Sequence, residues 1–329
     1  MTIQEIYDLA VDMGMKADPR GAEAVRKLLK KRQEKFKELS GKKKKYFDEV
    51  SLTSPYSDSR ILYGDPHKKV TKLLAGIDAN ISELLLLDRL NERARSAGSG
   101  QGEIDLLISH HPDGHALASL HEVMDVQVDM YADAGVPINV ADALFEERMG
   151  QVQRSINPLN HGRTIDAARL LDIPLMALHT IWDNMGNDFM RDYFAKRTFE
   201  TAGDVLEYVE EIPEFQEAIR GKSGPALVSG TQARKAGKVV VSFTGGTNPS
   251  KELYVELAKA GVGTLIEMHV SEPVVQALRK LHINVIDAGH MAADSIGANL
   301  FLDALESRGV EVVACSGLAR ITRSGGKKK

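Results

Sequence analysis

From residue 70 onward, short apolar segments alternate with segments that have the periodicity of amphipathic helices. The predicted strands are residues 70–77, 104–108, 137–140, 174–178, 239–243, 263–268, 284–286 and 310–314. Turn residues and a helical pattern follow most of them, and several are runs of valine, isoleucine and leucine that suit burial on both faces. This alternation predicts an α/β fold with mostly parallel sheets that are flanked by helices.

Two segments interrupt the alternation. Residues 51–65, rich in serine, proline, tyrosine and aspartate, are predicted to form a loop. Residues 199–236 combine an acidic helical pattern with glycines and a proline, and are predicted to contain a domain junction. The 329 residues are enough for about two domains. We therefore expect an N-terminal basic helical segment at 1–50, packed on a first α/β lobe at 51–220, and a second α/β lobe at 221–329.

The basic residues concentrate near the N-terminus. Residues 1–50 contain 13 Lys and Arg against 9 Asp and Glu, whereas the whole chain has a net charge of −4. The excess lies in residues 26–45, where aromatic residues for base stacking are few. Because the remainder of the chain is acidic, the favoured interpretation is a solvated helix face, and a nucleic-acid partner is not expected. Nucleic-acid binding through residues 26–45 is the weaker alternative, which a steep salt dependence of binding would support.

The sequence also bears on the compartment. No stretch has the ~18 uncharged apolar residues of a membrane span, and acidic residues lie where a signal peptide would be basic and apolar. The single cysteine, Cys315, excludes a disulfide framework and a zinc site built on paired cysteines. We expect a cytoplasmic protein without a membrane partner.

Three polar clusters follow predicted strands directly, which is where ligands bind in open α/β sheets. The first is S-H-H-P-D-G-H at residues 109–115. Neighbouring residues of an extended backbone point to opposite sides, so His110 and His111 suit two adjacent ions, or one ligand and one supporting partner. The structural alternative is a strand end with hydrogen-bonded imidazoles.

The second cluster is H-T-I-W-D at residues 179–183, and the third is G-H-M-A-A-D at residues 289–294. His290 and Asp294 would lie one turn apart on a helix, a spacing that helical metal ligands use. For the second cluster, the structural alternative is that the pattern occurs by chance. For the third, it is a histidine that caps the helix and an aspartate on an exposed helix face. Imidazole and carboxylate ligands without thiolate suit Zn, Fe, Mn, Co or Ni, and two carboxylates among four histidines are enough to bridge a metal pair.

At these residues the chain resembles the NGG-one interacting factor 3-like family, whose members are also described as GTP cyclohydrolase 1 type 2 homologues. The family pattern is a strand ending in Ile-Ser/Val-His-His, then His-x-x-x-Asp, then Gly-His-x-x-x-Glu. Here the three patterns are I-S-H-H at 108–111, H-T-I-W-D at 179–183 and G-H-M-A-A-D at 289–294, in the same order. The resemblance extends over residues 60–320.

The resemblance implies two related α/β lobes with a dinuclear site for divalent transition metal ions in the cleft between them. It also implies toroidal hexamers. In this chain it assigns His110 and Asp183 to one ion and His111 and His290 to the other, with Asp294 bridging both.

The chain departs from the family pattern at three points. Asp294 stands where the family usually has the longer glutamate, which leaves open whether it reaches both ions. Met268 and His269 stand where the family often has Gly-Glu, so His269 is a candidate additional ligand. Residues 112–172 and the basic N-terminal helices look additional.

Two functions are compatible with these patterns. The first is a metal-dependent hydrolase that acts on a small nucleotide-like or phosphate-bearing heterocycle, similar to GTP cyclohydrolase 1 type 2. There, two ions would lower the pKa of water toward ~7, and His179 or His269 would relay protons. The alternative is a non-catalytic metal-binding regulatory or protein-interaction factor. An open coordination position would favour the enzyme, because structural metal sites are closed.

Overall fold

The computed structural model describes residues 1–97 and 102–323. Within these ranges the α-helices are α1 (Ile3–Lys16), α2 (Ala22–Glu38), α3 (Gly41–Lys44), α4 (Ile81–Ala97), α5 (Gly114–Ala118), α6 (Val126–Asp133), α7 (Ile138–Ile156), α8 (Arg163–Leu171), α9 (Thr180–Phe194), α10 (Ala202–Glu210), α11 (Pro213–Arg220), α12 (Lys251–Lys259), α13 (Glu272–Lys280) and α14 (His290–Glu306). The strands are β1 (Ser59–Tyr63), β2 (Lys72–Gly76), β3 (Leu106–Ser109), β4 (Leu175–Leu178), β5 (Ala226–Ser229), β6 (Lys238–Ser242), β7 (Val262–Glu267), β8 (Asn284–Asp287) and β9 (Glu311–Cys315). Short 3-10 helices lie at Glu49–Leu52 and Leu120–Asp125.

The strands form two mostly parallel sheets. The strand order is β1-β4-β3-β2-β9 in the first sheet and β5-β8-β7-β6 in the second. In each sheet one edge strand is antiparallel, β1 to β4 and β5 to β8, and the other neighbours are parallel. The predicted α/β fold with mostly parallel sheets flanked by helices is confirmed, and the shared plan of the two sheets agrees with two related lobes.

The C-terminal part of the chain completes the first sheet. Strand β9 pairs in parallel with β2, from Lys72 opposite Glu311 to Gly76 opposite Cys315. A strand from the segment assigned to the second lobe therefore belongs to the first sheet. The division of the chain at residues 220 and 221 otherwise stays a prediction.

Helix α1 belongs to the core of the first sheet, whereas α2 lies at the surface. A capping box begins α1, because the Glu5 amide donates to the Thr2 hydroxyl (3.1 Å) and the Thr2 amide donates to the Glu5 carboxylate (2.8 Å). Ile3 and Ile6 are fully buried in the same apolar cluster as residues of β2 and β3. Helix α2 buries only two of its 17 residues.

The predicted strand at residues 137–140 is wrong, because these residues begin α7. Pro137 precedes the first turn, where its fixed φ suits the start of a helix. The buried residues Ala141, Phe145, Val152 and Ile156 then recur at helical spacing. A run of four residues is too short for periodicity to distinguish a strand from the first turn of a helix.

Strands β1 and β5 were not predicted. Strand β1 lies inside the predicted loop at 51–65, and β5 lies inside the predicted junction at 199–236. Both are antiparallel edge strands, and most of their residues are only partly buried. The apolar runs within these edge strands are only three residues long, at 61–63 and 226–228, so neither segment has the pattern of a buried strand.

Helices α9 and α14 cross between the two sheets. Helix α9 follows β4 of the first sheet, and α14 connects β8 of the second sheet to β9 of the first. The two helices approach closely at glycines: a Cβ atom on Gly297 would lie 1.8 Å from the carbonyl oxygen of Trp182. This contact fixes the relative positions of the two helices that carry much of the candidate site. Within the two described ranges, no helix is both long and apolar enough to cross a membrane.

Candidate metal centre

Six side chains that the sequence patterns selected lie together between the two sheets. They follow the carboxyl ends of strands β3, β4 and β8, and are His110, His111, His179, Asp183, His290 and Asp294. Strands β3 and β4 belong to the first sheet, and β8 belongs to the second. The site therefore needs both lobes, and it lies where α/β sheets place their ligands.

The ligand atoms of these side chains form overlapping groups in which all atoms lie within 4.8 Å of one another. The groups are His110, Asp183 and Asp294; His111, His290 and Asp294; and His110, His111 and His179. Each of these groups has the composition of a site that could hold a metal ion. The two neighbouring histidines fall into different carboxylate groups. Both lie just after the end of β3, with ring centroids 5.2 Å apart, and they share the third group with His179, so their side chains do not point to opposite sides as an extended backbone would place them.

Asp294 lies between the two carboxylate-containing groups. Its Oδ1 is 3.6 Å from His110 Nε2, whereas its Oδ2 is 3.5 Å from both His111 Nε2 and His290 Nε2. Each carboxylate oxygen thus faces a different set of histidines. The aspartate reaches both sets although it is one methylene shorter than the glutamate of the family pattern.

Three carboxylate oxygens of the site are buried without a hydrogen-bond partner among the described residues. Asp294 is 2% exposed, and among the described residues neither of its oxygens has a hydrogen-bond partner. Oδ1 of Asp183 is also buried without such a partner, with His110 Nε2 at 3.3 Å. Burying an unpartnered carboxylate costs several kcal/mol. A bound cation offsets that cost, so the donor set fits metal ions.

The electrostatics of the cluster keep its carboxylate ionised. Burial opposes ionisation of Asp294, but the facing His110 and the contacts with the other histidines outweigh it and hold the pKa of this carboxyl well below its usual value. Burial lowers the pKa of His290 to about 4, with His269 and His111 adding to the effect. Burial opposes protonation of His110, but the carboxylates of Asp294 and Asp183 outweigh it and raise the pKa of this imidazole well above its ordinary value. Because metals bind charged carboxylates and neutral imidazoles, a metal ion would displace that proton on binding.

Residues outside the six hold the imidazoles in place. Asp58 Oδ2 is 2.8 Å from His179 Nδ1, and Asp78 Oδ1 is 2.6 Å from His111 Nδ1. The carbonyl oxygen of Leu178 is 3.1 Å from Nδ1 of His110. In each case the partner contacts Nδ1 and leaves Nε2 toward the cluster, which is the usual support of a metal-binding histidine.

Asp58 and Asp78 were both missed from the sequence. Asp58 precedes β1, inside the segment predicted to be a loop. Asp78 comes two residues after β2, at the carboxyl end of a parallel strand like the three clusters. The rule that selected those clusters would have found Asp78 as well.

Two other candidate histidines lie outside these groups. His115, the last residue of the first cluster, is exposed and lies 3.1 Å from the guanidinium of Arg60. His269 is exposed, and its ring centroid is 4.5 Å from that of His290. His269 is therefore at the rim of the centre rather than within it.

A cavity of about 50 Å³ adjoins the centre, and Glu267 is part of its wall together with Asp183, His290 and Asp294. Glu267 is 2% exposed. It accepts hydrogen bonds from the Tyr254 hydroxyl (3.1 Å) and the Asn248 amide (3.0 Å). Burial raises the pKa of Glu267 to about 8, and these hydrogen bonds only partly oppose it.

Glu267 is expected to make the fold less stable as the pH rises. The folded protein keeps this proton up to pH of about 8, whereas the unfolded chain loses it near 4.5. The free energy of unfolding should therefore decrease between these values, by at most about 1.4 kcal/mol per pH unit. Urea titrations of the wild type and Glu267→Gln from pH 5 to 8.5 measure the effect as the difference between the two slopes. Equal slopes would contradict it.

Comparison with solved structures finds several similar chains. A NIF3 superfamily protein from Sphaerobacter thermophilus is 28% identical, with a TM-score of 0.69 over 80% of this chain and 92% of that one. HcgD from Methanocaldococcus jannaschii is 15% identical, with a TM-score of 0.48 over 80% and 91% of the two chains. A Bacillus cereus protein related to NIF3 is 12% identical, with a TM-score of 0.42 over 81% and 92%. No protein-family model and no curated protein sequence matches the chain.

Proposed function

We propose that this chain, which resembles NIF3 superfamily proteins in sequence and fold, binds two divalent transition metal ions and is a metal-dependent hydrolase. The observation that carries the proposal is a set of three buried carboxylate oxygens, Oδ1 of Asp183 and both oxygens of Asp294, which have no hydrogen-bond partner among the described residues and face imidazole nitrogens. Such oxygens are stabilised by cations.

Two ions are proposed because the ligand groups overlap at one residue. His110 and Asp183 would hold the first ion, and His111 and His290 would hold the second. Asp294 would contribute one oxygen to each, since its Oδ1 and Oδ2 face different histidines. This assignment agrees with the one that the family resemblance implies.

Two such ions, when bound, act as Lewis acids and lower the pKa of water. The chain itself supplies an oriented base beside them. Asp58 contacts Nδ1 of His179, which leaves His179 Nε2 on the side of Asp183, 4.0 Å from its Oδ2. We assign His179 the role of holding and moving a proton, because a carboxylate on the far nitrogen fixes the orientation of the ring. His269, at the exposed rim, is the second candidate for proton relay.

A small nucleotide-like or phosphate-bearing heterocycle is proposed as the substrate, supported by the family resemblance. The cavity beside the centre holds about 50 Å³, so only a small polar part of such a molecule fits between the ligands and Glu267. The remainder would lie in the open cleft. A cytoplasmic location and a hexameric assembly stay predictions.

Metal content is the experiment that tests the proposal. Protein purified without chelator or affinity metal should contain about two ions of Zn, Fe, Mn, Co or Ni per chain by elemental analysis. Hydrolysis of nucleoside triphosphates and other phosphorylated heterocycles should then require that metal and be lost in His179→Ala with the metal retained. Two ions without any hydrolysis would favour the non-catalytic alternative, and no metal after incubation with each ion would contradict the proposal.

A further inference from the structure

The N-terminal basic residues form a distinct surface that the metal centre does not use. We define the basic arm as residues 21–46, which comprise α2, α3 and their flanking residues. It contains 11 Lys and Arg against 3 Asp and Glu. Nine of the basic side chains are exposed, namely Arg26, Lys27, Lys30, Lys31, Lys35, Lys37, Lys42, Lys43 and Lys45.

The charges of the arm are almost unneutralised within the protein. In the part of the chain that the structure describes, the arm has one ion pair, between Lys27 and Glu23 at 3.1 Å. Helix α2, about 25 Å long at 1.5 Å per residue, contacts α1 and the 3-10 helix at Glu49–Leu52 along one side. The other side presents its lysines and arginines to solvent.

The acidic remainder of the chain does not cancel this surface. Charges in physiological salt are screened beyond about 8 Å. A helix several times that length, attached along one side, therefore presents its own positive potential to a partner. The net charge of −4 for the whole chain describes the protein at long range and not the surface of the arm.

Two features indicate what kind of polyanion the arm fits. The apolar residues Val25 and Leu29 of α2 are buried against the body of the protein, so the helix has no apolar face with which to enter a bilayer. Tyr46, which follows the lysine run 42–45, is 79% exposed. An exposed aromatic ring among lysines is the arrangement on which unpaired bases stack.

We propose that the basic arm binds single-stranded nucleic acid, with its lysines and arginines on the phosphates and Tyr46 stacked on a base. Lysines and arginines on phosphates give affinity without sequence specificity. The stacking ring gives a preference for unpaired strands over duplexes. This inference is independent of the metal centre and of its proposed chemistry.

The test is binding of fluorescein-labelled 30-nucleotide oligouridylate and oligothymidylate to the full chain by anisotropy. A Kd in the micromolar range is expected at 50 mM salt, with affinity falling steeply toward 200 mM. The triple variant Lys30→Glu, Lys31→Glu, Lys35→Glu should bind at least about 10-fold more weakly. The slope of its log association constant against log salt concentration should be shallower by about 2, because three phosphate contacts are lost and each contributes about 0.7.

A matched variant controls for net charge. This control replaces three exposed lysines outside the arm, by Lys68→Glu, Lys251→Glu and Lys280→Glu. It changes the net charge of the protein by the same amount as the triple variant in the arm. This variant should keep the wild-type affinity within about 2-fold, because screened charges far from the contact contribute little. Tyr46→Ala should weaken binding of the single strands about 5-fold or more and leave a 30-base-pair DNA duplex unaffected. Thermal melting checks that all variants are folded.

Several outcomes would overturn the proposal. Absence of binding at 50 mM salt, or equal losses in the arm variant and the matched variant, would show that the arm is not a nucleic-acid surface. Equal affinity for single strands and duplex, unchanged by Tyr46→Ala, would remove the single-strand assignment. If phosphatidylserine vesicles bind as tightly as the oligonucleotides, and the triple lysine variant weakens both equally, the arm binds anionic surfaces in general rather than nucleic acid. If the triple lysine variant changes its oligomeric state but keeps its affinity for oligouridylate, the arm is a contact surface for a second copy of the chain instead.

Discussion

Replacing Asp294 with asparagine should remove most of the metal from both proposed positions. Asp294 is the only residue shared by the two carboxylate-containing groups, and each of its oxygens faces a different histidine set. Asparagine keeps the volume but removes the negative charge and one of the two oxygens. We expect the metal content by elemental analysis to fall from about two ions per chain to less than about 0.5, with affinity reduced more than ~100-fold, beyond the loss expected for an outer supporting residue.

Two further variants make the Asp294→Asn result specific. Asp192→Asn removes a carboxylate from the exposed side of α9 and should keep about two ions, since it is outside the centre. Asp78→Asn removes the support of His111 Nδ1 and should weaken binding only about 10- to 100-fold. If Asp294→Asn retained two ions with affinity within 10-fold of wild type, the shared-ligand assignment would be wrong.

The sequence selected residues that the structure brings together, because their positions are set locally. Each of the three clusters begins within two residues of the end of a strand, so the strand pattern alone places its residues at the edge of a sheet. The parallel pairing of β3 with β4 brings His110 and His179 to the same edge of the first sheet. The packing of α14 against α9 then adds His290 and Asp294, which follow β8 of the second sheet. The histidines and carboxylates could therefore be selected without knowledge of the lobes.

The parts of the fold that the sequence did not predict depend on long-range contacts. Strand β1 is stabilised by pairing with β4, more than 100 residues away, and its own apolar run is only three residues long, at 61–63. The placement of β9 beside β2 depends on where α14 lies, which no local pattern encodes. Asp58 was missed for the same reason, because its role exists only once β1 is placed beside His179.

The second large effect is expected at the crossing of α9 and α14. A Cβ on Gly297 would lie 1.8 Å from the carbonyl oxygen of Trp182 and 3.0 Å from the amide nitrogen of Gly186. Both are backbone atoms, so the helices must move apart to accommodate even a methyl group. Gly297→Ala should lower the free energy of unfolding by about 3 kcal/mol or more, at or beyond the upper end of overpacking effects. Denaturant unfolding followed by circular dichroism measures this loss.

Gly186 provides the matched control, since it lies on the other helix at the same crossing. A Cβ at Gly186 would meet its nearest atom, the Gly297 amide nitrogen, at 3.5 Å, an ordinary contact distance. Alanine is favoured over glycine within helices by about 1 kcal/mol, so Gly186→Ala should be neutral or slightly stabilising.

Because α9 carries Asp183 and α14 carries Asp294, the Gly297→Ala protein that remains folded should also bind metal more weakly. If Gly297→Ala and Gly186→Ala were equally stable, helices α9 and α14 could move apart without loss of stability. The positions of the two carboxylates would then be fixed by the sheets instead.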